Sequence, residues 1–261
     1  VVVTGAARGI GLAIAEVLTR DGARVIGVDV PQAEDELTAH MSRLNGHSLA
    51  LDITSEGAAV LLRDYCLAKS TKLHGIVHNA GITRDKMLSR MSEPQWTDLM
   101  QVNLGSVQRI NAALLATDLL DDGGKIVGVA SISGIAGNIG QTNYGAAKAG
   151  IASFTIIAAR ELARYGVTVN SISPSAFTRM TEDLREYTEE DKKRRDPKWI
   201  APVATWLVSE DSREVTGRVF QAGNGIFAVA EGWHKGPTVE QIMDPVQAGK
   251  VLAEIARKAR K

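Results

Sequence analysis

Two side chains that can move a proton lie one helical turn apart near the middle of the chain. Tyr144 and Lys148 occur in an alanine-rich run with helical periodicity, so the phenol and the ammonium point to the same side of a helix. A neighbouring ammonium favours the phenolate, and we expect it to lower the pKa of the phenol from about 10. Tyr144 is therefore a candidate general acid or base that Lys148 tunes. Ser131, upstream in a Gly- and Ser-rich segment after an apolar strand, can present its hydroxyl to the same site.

A glycine-rich turn near the start of the chain suits a nucleotide. The sequence TGAARGIG follows a short β-branched run and precedes a stretch with helical spacing, which places Gly5, Gly9 and Gly11 in a strand-to-helix turn. Backbone N–H groups and a helix N-terminus in such a turn can approach a pyrophosphate. The spacing G-x-x-x-G-x-G differs from the G-x-G-x-x-G fingerprint, so a turn without a ligand remains the alternative.

Acidic residues after the next two strands indicate how a nucleotide would be held. Asp29 ends the strand ARVIGVDV, 24 residues after Gly5, where a carboxylate can hold a ribose 2′-hydroxyl. It would repel a 2′-phosphate and favours NAD, whereas Arg8 in the turn could meet that phosphate and leaves NADP as the alternative. Asp52 and Ile53 end the third strand and are placed to touch the adenine, although Asp52 could equally cap the next helix.

Strands and helices alternate along the whole chain. This pattern predicts a single α/β domain over residues 1–261, with a Rossmann-type doubly wound parallel sheet. The glycine turn, Asp29, Asp52, Ser131, the segment after Ser173, and Asn79 with Ala80 and Gly81 after the fourth strand all follow predicted strand carboxyl ends. In such sheets, ligands bind at this edge. A charged segment at about 176–198 is predicted to be a mobile lid. A C-terminal extension at about 227–261 ends in a basic amphipathic helix.

Composition excludes several classes of function. Lysine plus arginine and aspartate plus glutamate both number 30 in the 261 residues, which argues against bulk binding to nucleic acid or membranes. A single cysteine, Cys66, excludes an internal disulfide and a cysteine-rich metal site, and no metal is expected. No apolar run reaches the roughly 18 residues that span a bilayer, and no signal peptide is present, so we expect a cytoplasmic or organelle-matrix protein. Because the chain opens inside a strand, we expect the native polypeptide to extend upstream.

Taken together, TGAARGIG, HNAGI, Asn103, Ser131 and YGAAK resemble the short-chain dehydrogenase/reductase family over almost the whole chain. The resemblance implies that Ser131 orients the substrate oxygen and Tyr144 transfers the proton. It further implies that Lys148 lowers the pKa of the tyrosine and binds the nicotinamide ribose, while Asn103 holds a water in a proton relay. Ser131 is preferred to Ser133 because it lies thirteen residues before Tyr144, as in the family pattern. The residues that the resemblance assigns to the cofactor are Gly5, Arg8, Gly9, Ile10, Gly11, Asp29, Asp52, Ile53, Asn79, Ala80, Gly81, Tyr144, Lys148, Pro174 and Thr178.

Two kinds of family member are similar to this chain in different segments. GITRDKMLSRM and SGIAGNIGQTNYGAAKAG look most like 3-oxoacyl-[acyl-carrier-protein] reductases, whereas PSAFTRMT and the tail look more like (3R)-hydroxyacyl-CoA dehydrogenase units. Both imply interconversion of a 3-oxoacyl and a 3-hydroxyacyl thioester, with acyl-CoA or acyl carrier protein as the partner. Family members usually form dimers or tetramers, so a homo-oligomer is expected. The alternatives are a dehydrogenase of non-thioester alcohols or ketones and a catalytically silent cofactor-binding scaffold.

Three motifs depart from the family pattern. The usual Pro-Gly after the sixth strand is Pro174-Ser175, and the usual Asn-Asn-Ala-Gly begins with His78. A histidine at a strand end is more often structural than catalytic, so His78 is left out of the chemistry. Near the end of the sheet, Gly223-Asn224-Gly225 replaces the usual Asp-Gly-Gly. None of these changes affects the proton-transfer residues.

Overall fold

One eight-stranded sheet carries the candidate residues along its carboxyl edge. The computed structural model describes residues 1–70, 72–120, 122–178, 180–182, 186–231 and 236–259. Its strands follow the order β3-β2-β1-β4-β5-β6-β7-β8, in which each neighbouring pair is parallel except the last. The strands are β1 (Val2–Thr4), β2 (Ile26–Asp29), β3 (His47–Ala50), β4 (Gly75–His78), β5 (Lys125–Val129), β6 (Thr168–Ser175), β7 (Val219–Gly223) and β8 (Ile226–Ala230).

Helices connect the parallel strands and cover both faces of the sheet. They are α1 (Gly9–Arg20), α2 (Glu34–Arg43), α3 (Ala58–Lys69), α4 (Glu93–Met100), α5 (Ser106–Leu115), α6 (Ile132–Ile135), α7 (Thr142–Leu162), α8 (Glu189–Arg194) and α9 (Ala201–Leu207). One further helix, α10 (Pro245–Lys258), follows β8 in the chain. A π-helical turn, Gln101–Gly105, joins α4 to α5. Successive residues of a strand face opposite sides, so Val2 packs in one core cluster with Leu62 while Val3 packs in the other with Ile14. The predicted α/β architecture of Rossmann type is confirmed.

The last strand of the sheet differs from the prediction, in which all strands were parallel. Residues from about 227 onward were assigned to the C-terminal extension, but residues 226–230 form β8, which pairs antiparallel with β7. Asn224 and Gly225 connect the two strands and have φ angles of 55° and 83°. Positive φ at both central positions is the type I′ hairpin geometry that Asn-Gly favours. The Asn-Gly dipeptide in the sequence indicates a hairpin, although it was interpreted only as a replacement for the usual Asp-Gly-Gly.

The chain divides into two compact units, Val1–Ala230 and Glu231–Lys261. In the second unit, the Asp244 side chain caps α10 by accepting a hydrogen bond from the Gln247 amide at 2.8 Å. Within the first unit, residues 179 and 183–185 of the predicted lid lie outside the described residues, and α8 occupies part of the remainder. The lid stays a prediction. Among the described residues, no helix is both long and apolar enough to cross a membrane.

Candidate active site

The glycine turn between β1 and α1 has the geometry of an anion cradle. Gly5 and Gly9 have φ angles of 67° and 56°, which glycine adopts without steric cost. A Cβ at Gly11 would overlap the carbonyl oxygen of Gly5, so the helix can start this close to the turn only with glycine there. No side chain caps the N-terminus of α1, which leaves its first-turn amides open to a ligand. The turn therefore fits a dinucleotide pyrophosphate.

Asn79 was predicted to bind the cofactor, and the structure shows that its side chain braces the glycine turn. Its Nδ2 donates to the carbonyl oxygens of Thr4 and Gly5, at 3.0 and 3.1 Å. The Thr4 hydroxyl oxygen in turn accepts from the amides of Asn79 and Ala80, at 3.1 and 3.0 Å. These bonds join the carboxyl ends of β1 and β4, so this asparagine fixes the shape of the cradle through its amide.

Asp29 and Arg8 are held at the mouth of the turn. One carboxylate oxygen of Asp29 accepts from the Ala7 amide at 2.9 Å and the other from the Val30 amide at 2.9 Å. Arg8 Nη2 lies 3.3 Å from a carboxylate oxygen of Glu36 on α2. The acidic residue predicted to hold the ribose thus lies against the glycine turn, while the arginine is paired with an acid that the sequence did not single out.

The structure excludes one of the two roles left open for Asp52, the cap of the next helix, and contact with an adenine stays a prediction. Its Oδ1 accepts from the amide and hydroxyl of Thr54, at 2.9 and 2.7 Å, and α3 begins only at Ala58, so Asp52 stabilises a turn and does not cap that helix. Its carboxylate is exposed at the edge where an adenine would lie. Ile53 is buried in one core cluster and Ile10 packs against the other, so both side chains contribute to the packing of the core.

Lys148 and Asn103 meet under the fourth strand's carboxyl end. Lys148 is 3% exposed, its Nζ donates to the Val129 carbonyl at 2.7 Å, and burial lowers its pKa to about 8. The Asn103 side chain, on the π-helical turn, accepts from the Ile82 amide and donates to the Ile82 carbonyl, both at 2.8 Å. A Cβ on Gly81 would meet both side chains, at 3.0 Å from Asn103 and 3.6 Å from Lys148. Gly81 therefore allows these two predicted residues to approach each other.

Ser131 and Tyr144 are brought together as predicted, and Ser133 is used differently. The Ser131 hydroxyl is a hydrogen-bonding partner of the Tyr144 phenol. Its oxygen also accepts from the Ser133 amide at 3.2 Å, while the Ser133 hydroxyl donates to Gln141 Oε1 at 2.7 Å. The Ser133 hydroxyl is therefore engaged with Gln141, whereas the Ser131 hydroxyl adjoins the Tyr144 phenol.

The pKa of Tyr144 moves in the direction opposite to the one expected. Burial of the phenol raises the pKa, the hydrogen bond from Ser131 works against this, and the Asp85 carboxylate adds to the rise. The Lys148 ammonium lies 5.6 Å from the centre of the phenol ring and donates to a backbone carbonyl. In the protein alone, burial of the phenol therefore outweighs the effect of Ser131 on this pKa. Lowering of this pKa requires further positive charge near the phenol.

Pro174 and Thr178 lie at and just beyond the carboxyl end of β6. Pro174 is in β6, and the methyl carbon of Thr178 lies 3.7 Å from the point that a Cβ on Gly9 would occupy. Thr178 is thus close enough to contact a ligand seated in the turn. Ser175, which stands where the family pattern has glycine, accepts a hydrogen bond from Arg195 Nη1 at 2.6 Å. The substitution ties the segment after β6 back to the sheet.

Comparison with known proteins assigns the family. Residues 1–190 match the family model described as short chain dehydrogenase. The chain belongs to the short-chain dehydrogenase family. It is 36% identical over 235 residues to 3-oxoacyl-[acyl-carrier-protein] reductase FabG of Vibrio cholerae, covering 87% of this chain and 96% of that one. It is 38% identical over 239 residues to the Vibrio harveyi enzyme of the same name, with the same coverage. A short chain dehydrogenase from Mycobacterium avium matches with a TM-score of 0.86 and 34% identity, covering 100% of this chain and 95% of that chain.

Family membership establishes the general chemistry. This short-chain dehydrogenase is an NAD(P)-dependent oxidoreductase that acts on a CH–OH group and its carbonyl counterpart. The open glycine cradle, the buried lysine and the Ser131–Tyr144 pair suit that chemistry. When bound, the nicotinamide cofactor supplies or accepts the hydride, and the residues described above are those that would hold it.

A polar network beside Ser131 and Tyr144 was not predicted from the sequence. Gln141 is 6% exposed; it accepts from the Ser133 hydroxyl, and its Nε2 donates to Asp85 Oδ2 at 2.7 Å. Gln141 therefore links Ser133 to Asp85 at the protein surface. The Lys86 amide donates to the Gly140 carbonyl at 2.8 Å and so joins the same two segments. The only signal in the sequence was that Gln141 lies three residues before Tyr144, which places it on the tyrosine's side of the helix start.

We predict that Asp85→Asn shifts the pH dependence of alcohol oxidation to lower pH. The Asp85 carboxylate raises the pKa of Tyr144, and asparagine removes the charge while Oδ1 can still accept from Gln141. A base with a lower pKa is deprotonated at lower pH, so the rise of kcat/KM should begin earlier. The profile is measured by cofactor absorbance, with Asp98→Asn on α4 as the matched control. An unmoved profile would remove Asp85 from the electrostatics of the site.

Proposed function

We propose that this enzyme interconverts a 3-oxoacyl thioester and a 3-hydroxyacyl thioester, with NAD as its preferred cofactor. The observation that carries the proposal is the pairing of Ser131 with Tyr144 beside the buried Lys148, at the carboxyl edge that holds the glycine turn. Its support on the substrate side is the identity of 36–38% to reductases named for 3-oxoacyl-[acyl-carrier-protein].

The proposed proton transfer follows from the roles of the three side chains. In reduction, the Tyr144 phenol gives its proton to the substrate carbonyl oxygen; in oxidation, the phenolate takes the hydroxyl proton. Ser131 donates a hydrogen bond to the same oxygen and stabilises the charge that develops there. Lys148 is held by the Val129 carbonyl and keeps its ammonium near the phenol. Asn103 holds the backbone at Ile82 and, by resemblance, organises the water that reloads the proton.

Exposed apolar side chains beside the site suit a fatty acyl chain. Met87 and Leu88 are 53% and 65% exposed, and Ile132 and Ile139 are 52% and 87% exposed. They come from the two segments that the Lys86–Gly140 hydrogen bond joins next to Ser131 and Gln141. Exposed apolar groups gathered at one place commonly mark a binding surface. This surface favours an acyl substrate over a sugar.

The preference for NAD rests on the two charged residues at the turn. The Asp29 carboxylate lies against the turn, where it would accept from ribose hydroxyls and repel a 2′-phosphate. Arg8, the residue that could favour NADP, is engaged by Glu36. The Asp29 carboxylate and the pairing of Arg8 with Glu36 therefore both favour NAD over NADP.

The proposal is tested by a spectrophotometric screen of substrates and cofactors. Acetoacetyl-CoA with NADH should be reduced faster than with NADPH, and 3-hydroxyacyl-CoA with NAD⁺ should be oxidised. Sugar, steroid and quinone substrates serve as the contrast at matched concentrations. Turnover confined to a non-thioester alcohol or ketone would replace the thioester proposal, and nucleotide binding without turnover of any substrate would favour the silent scaffold.

The route by which the thioester is recognised can be tested separately. Arg84 and Arg90 lie on the exposed segment that borders the apolar surface. If these arginines bind phosphates of the thioester carrier or an acidic partner, the double variant Arg84→Glu, Arg90→Glu should have a higher KM for acetoacetyl-CoA and a kcat that changes little. An unchanged KM would count against recognition by this segment.

A further inference from the structure

Arg8 and Glu36 form an ion pair at the point where the two nicotinamide dinucleotides differ. The guanidinium comes from the glycine turn and the carboxylate from the first turn of α2, and the atoms are 3.3 Å apart. Their side chains are 42% and 39% exposed, so both remain accessible to a ligand. The pair lies on the same edge as Asp29, whose carboxylate contacts Ala7 immediately before Arg8.

The position of Glu36 is fixed by the packing of its helix. The next residue, Leu37, is fully buried, and Met41 one turn later is 1% exposed. A Cβ at Gly27 of β2 would lie 2.6 Å from the Met41 sulfur and 3.1 Å from Leu37, so α2 rests directly on this strand. Such close packing leaves α2 little freedom to rotate or slide. Glu36 is therefore presented to the glycine turn by the fold itself.

The pair opposes a 2′-phosphate in two ways. A guanidinium bound to a carboxylate must give up that partner before it can make charge-assisted hydrogen bonds to a phosphate. The Glu36 carboxylate also adds negative charge where the phosphate would enter, in addition to that of Asp29. A ribose 2′-hydroxyl carries no charge and encounters neither obstacle.

We propose that Glu36 is a specificity-determining residue, which favours NAD over NADP by holding Arg8 in an ion pair. This inference rests on the proposed function and deepens it. In this proposal Asp29 contacts the ribose directly, whereas Glu36 acts indirectly, because it keeps Arg8 paired and unavailable to a 2′-phosphate. The preference for NAD would then depend on an acid from a different element as well as on the acid at the end of β2.

The test is nucleotide binding to the full chain, measured by isothermal titration calorimetry with NAD⁺ and NADP⁺. Glu36→Gln should tighten NADP⁺ binding by about three- to tenfold, which is the range for release of an exposed ion pair and loss of one repelling charge. NAD⁺ affinity should stay within about twofold. The gain should shrink at high salt, because exposed charges are screened. Asp35→Asn is the matched control, since it removes the same charge from the neighbouring exposed position of α2.

A double-mutant cycle identifies the route of the effect. In an Arg8→Gln background, Glu36→Gln should give little or no gain for NADP⁺. An undiminished gain in that background, or an equal gain from Asp35→Asn, would mean a general charge effect and would overturn the proposal. An unchanged NADP⁺ affinity in Glu36→Gln, with NAD⁺ binding to the wild type, would also overturn the proposal. That result would leave the proposed function intact. Failure of the wild type to bind either nucleotide would overturn both.

Discussion

Replacing Tyr144 by phenylalanine should lower the turnover of a 3-oxoacyl thioester by about 10²- to 10⁴-fold, the usual contribution of a positioned general acid or base. Phenylalanine keeps the ring that packs near Lys148 but removes the only group of this side chain that can exchange a proton. The Ser131 hydroxyl would remain, but a serine hydroxyl is a poor proton source at neutral pH. The loss should therefore fall on kcat, with cofactor affinity largely preserved.

Single-turnover kinetics with saturating NADH measures the chemical step, and calorimetry measures cofactor binding. Tyr165→Phe provides the matched control, because Tyr165 is 46% exposed in the short 3₁₀ turn that follows α7. Near-normal turnover in Tyr144→Phe would exclude the phenol as the proton carrier. A large loss in Tyr165→Phe as well would point to damage to the helix instead of the chemistry.

Stability should fall in mild acid because of His78, which lies in β4 and is 4% exposed. Burial lowers its pKa from 6.5 to about 4, against the opposing effect of its hydrogen bond to Asn111 at 2.9 Å. The folded protein keeps this ring neutral while the unfolded chain binds a proton below about pH 6.5, so acid favours unfolding. The full shift corresponds to about 3 kcal/mol, of which about 2 kcal/mol should be lost between about pH 7.5 and pH 5.

The variant His78→Gln separates this effect from general acid sensitivity. Glutamine can place an N–H donor near the Asn111 oxygen but does not titrate. Free energies of unfolding by urea at about pH 7.5 and pH 5 should differ by about 2 kcal/mol less in this variant than in the wild type. His74→Gln, at an exposed position of the same segment, is the control. An equal pH dependence in His78→Gln and the wild type would show that the buried histidine does not govern acid stability.

The elements and the edge that they share could be predicted from the sequence because both are local properties. The β-branched run before TGAARGIG and the helical spacing after it specify a strand, a turn and a helix without reference to distant residues. Once strands alternate with helices, a parallel sheet places the strand ends on one edge, and the candidate residues follow those ends. Ser131 follows the end of β5 in this way, whereas Tyr144 lies in the first turn of α7. Asn103 approaches Lys148 because Gly81 leaves the necessary space.

Partners of side chains were harder to predict, since they depend on packing distances between elements. Asn79 braces the glycine turn because the ends of β1 and β4 are neighbours in the sheet, although the residues lie far apart in the chain. The pKa of Tyr144 rises because burial of the phenol acts on it more strongly than the hydrogen bond from Ser131. Spacing in the sequence carries no measure of burial.

The sequence by itself determined the fold class, and it predicted the glycine cradle and the candidate proton-transfer residues from short-range spacing and strand order. Only the tertiary structure decided that Glu36 holds Arg8 and that Gln141 links Ser133 to Asp85. It also decided that β8 turns back along β7. The physical reason is that an ion pair or hydrogen bond needs atoms within about 3 to 4 Å, and helix packing sets such distances across elements.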